Sequence, residues 1–141
     1  MKRLNALALV VAVTTTAALL VQSGAQVKKG KERPLSTKHL MAGMIQSNCG
    51  ALGKALQGEG PKDDKAWDQA AMQAELLNEA GHVLMADGRC PDGKWADASK
   101  TLRDCSQVVL KAIEAKKVDD ARAAFGAMTK SCGDCHAAHK K

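Results

Sequence analysis

Apolar residues recur every three or four positions along four stretches of the chain after residue 36, which is the period of an amphipathic helix. The first stretch starts at a cap on Ser36 or Thr37 and stops at Gly58 and the Gly60-Pro61 turn. Its apolar face consists of Met41, Ile45, Cys49, Leu52 and Leu56. The spacing and the flanking signals predict one helix here.

Three further stretches repeat the pattern. The second starts at Asp63 or Asp64 and ends at Asp87-Gly88, before Pro91. The third starts between Asp92 and Trp95, and the fourth starts at a cap on Asp119 or Asp120. Their apolar faces are, in order, Trp67, Ala70, Ala74, Leu77, Gly81 and Leu84; Trp95, Ala98, Leu102, Cys105, Val109 and Ala112; and Ala121, Phe125, Met128, Cys132 and Cys135.

The fold class follows from this arrangement. Pro34 precedes the first helical stretch, Pro61 and Pro91 fall between stretches, and no alternating strand pattern occurs after residue 25. The chain is 45% hydrophobic with no tyrosine and one phenylalanine, so alanine, leucine and methionine supply the core, as in helical proteins. We expect an all-α fold, an antiparallel four-helix bundle with short connections.

The N-terminus has the features of a secretory signal peptide. Lys2 and Arg3 precede an apolar run from Leu4 to Val21, and Ser23-Gly24-Ala25 offers small residues for cleavage before Gln26. The alternative is an uncleaved anchor, because ~18 apolar residues approach the ~20 needed to span a bilayer. We predict a signal peptide over 1–25, a flexible lead-in over 26–35 and one domain over 36–141. Either way, we expect the globular part of the chain to be exported.

Charge narrows the classes of partner. The formal net charge is +6, of which Lys2 and Arg3 supply two, so the chain after the signal carries +4. Such a mildly basic protein is compatible with an acidic protein partner. No arginine-rich stripe or aromatic platform indicates nucleic acid, and no membrane association is expected once the signal is removed.

The strongest chemical signal is Cys132-Gly133-Asp134-Cys135-His136, a C-x-x-C-H pattern typical of c-type haem attachment. Two thiols at this spacing can add to the two vinyl groups of one haem, and the adjacent histidine can bind the iron. Random placement of these residue types would give only ~0.005 such patterns in a chain of this length. We therefore expect one covalent haem c, with thioethers at Cys132 and Cys135 and His136 as the proximal ligand. Covalent haem attachment in an exported protein predicts a bacterial periplasm as its location.

Two other chemistries use similar residues. A zinc site could take Cys132, Cys135 and His139, but structural zinc needs four closed ligands and the chain has no second C-x-x-C. A redox C-x-x-C normally opens a helix within a βαβ unit, and neither feature is found here. A zinc-stabilised interaction module stays a minor alternative.

With these features, residues 36–141 resemble the class II cytochromes c, the cytochrome c-prime family and its low-spin relatives. The resemblance includes Leu40-Met41 in the first helix, the Gly58-Glu59-Gly60-Pro61 turn, Trp95 at the start of the third helix and the C-terminal haem motif. It implies a haem near one end of the bundle and a homodimer formed through the first helix. It also implies no enzymatic activity, only electron transfer or gas binding.

The second iron ligand is less determined. If neighbouring helices alternate in direction, the residues at the end that carries His136 are Met41, Met44, His82, Met85 and Trp95. The resemblance favours Met41, whose family position holds methionine in low-spin members and an apolar residue in high-spin ones. Met44 and His82 are the alternatives, and core filling is the structural role of any buried methionine.

Two functions therefore compete. His136 and Met41 together would hold a six-coordinate haem that transfers one electron to redox partner proteins. If Met41 only packs, the iron is five-coordinate and binds NO or CO. His39 and His139 are expected to be solvated. Cys49, Cys90 and Cys105 remain as thiols, and we expect no disulfide among them.

Overall fold

The computed structural model describes residues 30–140, which are mostly helical and contain no strand. The elements are α1 (Thr37–Leu40), a π-helical segment (Met41–Gln46), α2 (Ser47–Ala55), α3 (Asp64–Met85), α4 (Gly93–Glu114) and α5 (Val118–His139). The first three run on without a break, so residues 30–140 form four helices and the predicted all-α class is confirmed. The predicted signal peptide and residues 26–29 lie outside the described residues.

Three of the four predicted helix starts are confirmed. The side chains of Ser36, Asp63 and Asp92 each accept a hydrogen bond from the backbone N–H three residues later, at 3.2, 2.7 and 2.9 Å. Each bond satisfies a backbone donor that has no partner within its helix. The start signals in the sequence therefore act through side-chain capping.

The fourth predicted start was wrong. Helix α5 begins at Val118 with Lys117 at the N-cap, and no side chain caps it. Asp119 and Asp120 lie in its first turn instead. Carboxylates there stabilise the positive end of the helix dipole, which gives these aspartates a role without a cap.

The π-helical segment is a feature that the apolar spacing did not predict. Leu40 and Ile45 are both buried although they are five residues apart, and a π-helical turn with i→i+5 bonding brings such residues onto one side. Met41 and Met44 are half-buried as a result and pack against the edge of the core. The predicted face beginning at Met41 is therefore displaced to Leu40.

The core forms where consecutive helices pack, α2 on α3, α3 on α4 and α4 on α5. The fully or nearly buried side chains include Leu52, Leu77, Val109, Ile113 and Met128. A Cβ at Gly81 would lie 2.5 Å from Cγ of Arg103 and 3.1 Å from the carbonyl oxygen of Ser99. Glycine at this point allows the close approach of α3 and α4. No helix between residues 30 and 140 is long and apolar enough to cross a membrane.

The segment before α1 is attached to the turn between α3 and α4. The Asp87 carboxylate accepts hydrogen bonds from the backbone N–H groups of Glu32 (2.9 Å) and Arg33 (3.1 Å). Arg89, only 1% exposed, pairs with Asp87 at 3.2 Å and donates to the carbonyl oxygen of Leu35 at 2.8 Å. This part of the predicted flexible lead-in thus has specific partners on the turn.

Candidate functional site

The C-x-x-C-H motif occupies the last turns of α5, as its helical spacing predicted. Cys132 and Cys135 are half-buried, and the residues between them are exposed. Positions three apart in an α-helix lie on the same face, so both thiols belong to the inner side of α5. His136 follows Cys135 by ~100° of helical rotation and is exposed at the rim of that side.

Burial controls the state of the two thiols. It raises the pKa of Cys132, and the Cys132 thiol donates a 3.5 Å hydrogen bond to the carbonyl oxygen of Met128. Burial also raises the pKa of Cys135, with further contributions from the nearby Cys132, when that thiol is ionised, and from the Asp92 carboxylate. Both thiols therefore stay protonated at neutral pH while this end of the chain is folded without a cofactor.

Cys49, on α2, belongs to the same neighbourhood. Its pKa is raised, first by burial and then by the proximity of Cys132. A cysteine in the first helix thus lies close enough to Cys132 to interact with it electrostatically.

An open groove of about 500 Å³ lies beside Cys135, between the first turns of α4 and the last turns of α5. Small side chains leave this space. The lining residues are Lys94, Asp97, Ala98, Thr101, Ser131, Asp134, Cys135, Ala137 and Ala138. One of the two motif thiols is therefore next to unfilled volume, which a covalently attached ring requires.

His139 was predicted to be solvated, and that prediction was wrong. Its side chain is buried, and its ring meets the ring of Trp95 edge to face, with centroids 5.4 Å apart and planes at 80°. Its Nε2 lies 3.4 Å from Oδ1 of Asp92 but makes no hydrogen bond to any residue between 30 and 140. The reason is packing, because the last turn of α5 lies against the first turn of α4. His39 is exposed, as predicted.

The surface that receives His139 is itself well fixed. Asp92 caps α4, and Trp95, 2% exposed, donates from Nε1 to the carbonyl oxygen of Leu84 at 2.9 Å. We call Leu84, Asp92 and Trp95 the α3–α4 corner. It joins the end of α3, the start of α4 and, through His139, the end of α5.

The candidate second ligands have different surroundings. Met41 and Met44 are half-buried against the core, in the π-helical segment. His82 is exposed, and its Nδ1 lies 3.5 Å from Nη1 of Arg103. None of the three lines the groove beside Cys135. The groove beside Cys135 is lined by residues of α4 and α5.

No three histidine, cysteine or acidic side chains converge as a metal site within residues 30–140. His139, which the zinc alternative would use together with Cys132 and Cys135, contacts the α3–α4 corner. The five cysteines, Cys49, Cys90, Cys105, Cys132 and Cys135, are free thiols.

Sequence reasoning missed two residues of this region. Nothing in the spacing marks His139 as buried, although a histidine three positions after His136 shares its side of the helix. Arg89 lies in a turn beside Asp87-Gly88, where an arginine is normally exposed. Both are buried by contacts between segments that are distant in sequence.

Comparison with known proteins identified no relative: no family model, no curated protein and no solved structure matches the chain.

Proposed function

We propose that the protein is a c-type cytochrome that carries one covalent haem and transfers single electrons. The observation that carries the proposal is the placement of the C-x-x-C-H motif on α5. Cys132 and Cys135 share the half-buried inner side, while His136 stands exposed beside them. Two thiols on one side with an adjacent imidazole are the donor set of a haem c, and the groove at Cys135 offers space for a ring edge.

The fold we propose for this function is an antiparallel four-helix bundle with the haem near one end. Contacts between α2 and α5 support it. A Cβ at Gly53 would lie 3.2 Å from Cζ of Phe125, and Nε of Arg122 donates to the carbonyl oxygen of Leu56 at 2.6 Å. In these contacts, later residues of the first helix meet earlier residues of α5. This order supports two helices that run in opposite directions, which would bring the start of the first helix near the end of α5.

The same register supports a distal ligand in the π-helical segment. Counting from the Gly53–Phe125 contact toward the motif, one residue back on the first helix for each residue forward on α5, residues 41–44 reach the level of 134–137. We propose Met41 as the distal ligand, with Met44 one turn along the same helix as its alternative. A thioether is a soft ligand that suits haem iron and raises its reduction potential. His82 has less support, because its ring is exposed and lies next to Arg103.

A second candidate function rests on the packing of Met41. Its side chain contacts the core, which is also what a methionine that only fills space would do. In that case the iron would keep five ligands and bind NO or CO. The zinc-stabilised module has less support, because the His139 ring meets Trp95 and Asp92.

The roles of the residues follow from their exposure. Haem c would supply an iron that gains and loses one electron. Cys132 and Cys135 would hold it to the inner side of α5, and His136 would bind the iron from the exposed rim. Half-burial of Met41 would exclude water from the distal side, so that the ligands change little between oxidation states.

Export and partners belong to the same proposal. The signal peptide proposed over residues 1–25 would deliver the chain to a periplasm, where covalent cytochromes operate. The remaining net charge of +4 suits an acidic redox partner. A homodimer is a further expectation from the family resemblance.

The test is covalent attachment in the exported protein. Haem should remain with the wild-type polypeptide in a denaturing gel and give a pyridine haemochrome spectrum. Replacing both Cys132 and Cys135 by alanine should leave any haem extractable into acidified organic solvent, whereas Cys90→Ala should retain it. Wild-type protein whose haem is extracted, or which contains none, would overturn the proposal.

A further inference from the structure

His139 is buried at the last turn of α5 with an unsatisfied ring nitrogen. It is 8% exposed, and its Nε2 is one of the few buried side-chain atoms between residues 30 and 140 that have no hydrogen-bond partner. Burying a polar atom without a partner lowers stability, and phenylalanine would fill similar space without that cost. A histidine at this position therefore has a role beyond packing.

Its surroundings are rigid on two sides. The Trp95 ring is held by a hydrogen bond to Leu84, and Asp92 is held as the cap of α4. The His139 ring contacts the Trp95 ring edge to face, and its Nε2 lies 3.4 Å from Oδ1 of Asp92. The ring is thus located by the α3–α4 corner in both position and rotation.

His136 has no comparable support of its own. Its ring is exposed and makes no hydrogen bond to another residue between 30 and 140. Its backbone is fixed, however, because its carbonyl oxygen accepts a 2.9 Å hydrogen bond from the N–H of Lys140, directly after His139. The turn from 136 to 140 therefore moves as one unit, and His139 attaches that unit to the corner.

We propose that His139 is a positioning residue for the iron ligand, and that its contact with Asp92 holds the last turn of α5 so that the His136 imidazole keeps one orientation. This inference rests on the proposed haem function and applies to the electron-transfer and gas-binding alternatives alike, since His136 is the proximal ligand in both. A ligand histidine whose own ring lacks a partner depends on neighbouring residues for its orientation.

The test measures ligand orientation separately from stability. In the ferric holoprotein, the paramagnetically shifted haem-methyl resonances in the ¹H NMR spectrum report the orientation of the axial imidazole. Thermal unfolding of the same samples reports packing. His139→Ala loses both contacts of the ring. His139→Phe keeps the edge against Trp95 but loses the nitrogen, and Asp92→Asn removes the carboxylate charge while retaining a good helix cap.

We expect a single methyl set in the wild type, a shifted or doubled set in His139→Ala, and a lower unfolding temperature. His139→Phe should regain the unfolding temperature but keep an altered methyl pattern. Asp92→Asn should alter the methyl pattern in the same way. The double variant with His139→Phe should show no further change in that pattern, because both substitutions remove the same contact between His139 and Asp92. Lys140→Ala, at an exposed neighbour, should leave the wild-type pattern.

A wild-type methyl pattern in His139→Phe or in His139→Ala would overturn the positioning role and leave the proposed function intact. Absence of any covalent haem from the wild-type protein would overturn both proposals. The two failures are therefore distinguishable in one set of samples.

Discussion

Asn48 donates a 2.6 Å hydrogen bond from Nδ2 to the carbonyl oxygen of Met44. The bond joins the start of α2 to the π-helical segment, in which i→i+5 backbone hydrogen bonds replace the usual i→i+4 bonds. Ser47 acts alongside it, since its Oγ donates to the carbonyl oxygen of Gly43 at 2.6 Å. Side chains at the start of α2 therefore stabilise the turn that holds Met41 and Met44 half-buried.

Asn48→Ala should destabilise the protein by about 1 kcal/mol, the usual worth of one half-buried hydrogen bond. Without that bond the π-helical segment should relax toward α-helix, which would rotate Met41 relative to α2. Chemical denaturation gives the change in stability, and the visible spectrum of the holoprotein reports the ligand. Gln46→Ala, at an exposed position in the same segment, is the control. Equal effects of the two variants would contradict this role of Asn48.

Met41→Ala should convert a low-spin haem to a high-spin form that binds CO readily. The reason is loss of the thioether, whose weak Met-to-iron charge-transfer band should vanish from the ferric spectrum. Met41→Leu should act the same way with less effect on stability, because leucine fills a similar volume. Met44→Ala should leave the spectrum unchanged.

The wild-type spectrum decides between the two haem functions. A high-spin wild-type protein that already binds CO would favour the gas-binding alternative. A low-spin protein that responds to Met44→Ala or to a change at His82, and ignores Met41, would move the ligand and keep electron transfer.

Removal of haem should lower stability markedly. A ligand bound only to the folded state stabilises that state, and here two thioethers would hold it permanently. Circular dichroism of the Cys132→Ala, Cys135→Ala double variant, purified without haem, should show lower helicity or a much lower unfolding temperature than the holoprotein. If the haem-free variant has the same unfolding temperature as the holoprotein, the helices pack independently of the cofactor.

Thiol reactivity should depend on folding and on pH. Burial raises the pKa of Cys132 and Cys135 in the folded, haem-free chain, so both thiols stay protonated in the folded state at pH values above the ordinary thiol pKa of 9.0, where they ionise in the unfolded chain. Alkylation of both residues, followed by mass spectrometry, should be slower in the folded chain than in urea at pH 8. The folded chain should also lose stability as the pH rises beyond that ordinary value. Equal alkylation rates in the two states would argue against burial of the thiols.

The attachment of the segment before α1 should weaken in acid. Backbone N–H groups, Glu32 first and then Arg33, together with the Arg89 guanidinium lower the pKa of Asp87. A lowered pKa means that stabilisation is present above the ordinary aspartate pKa, near 4, and is lost as the pH falls through the lowered value. Asp87→Asn should therefore lower the unfolding temperature at pH 7, and its difference from wild type should shrink toward pH 2.

Asparagine is a fair probe here because it tolerates the positive φ of 58° that Asp87 adopts. Glu59→Gln, at an exposed carboxylate in the loop after the first helix, serves as the control and should show no such pH-dependent difference. A constant offset between Asp87→Asn and wild type at all pH values would rule out the carboxylate as the cause.

The amino-acid sequence by itself determined which segments are helical and how the motif residues are spaced on α5. Periodic apolar residues, together with caps such as Asp63 and Asp92, act within one or two turns, so their effect can be read without knowing the fold. The C-x-x-C-H spacing is equally local, and it puts Cys132 and Cys135 on one side of α5 wherever that helix packs.

Tertiary structure alone decided the environment of those residues. The π-helical turn arises because Leu40 and Ile45 are both buried in the core, and their burial depends on how α3 packs against this segment. His139 is buried because α4 offers Trp95 and Asp92, and Arg89 is buried because a distant segment closes over it. Contacts between segments far apart in the chain create burial, and burial determines thiol acidity and the surroundings of the candidate iron ligands.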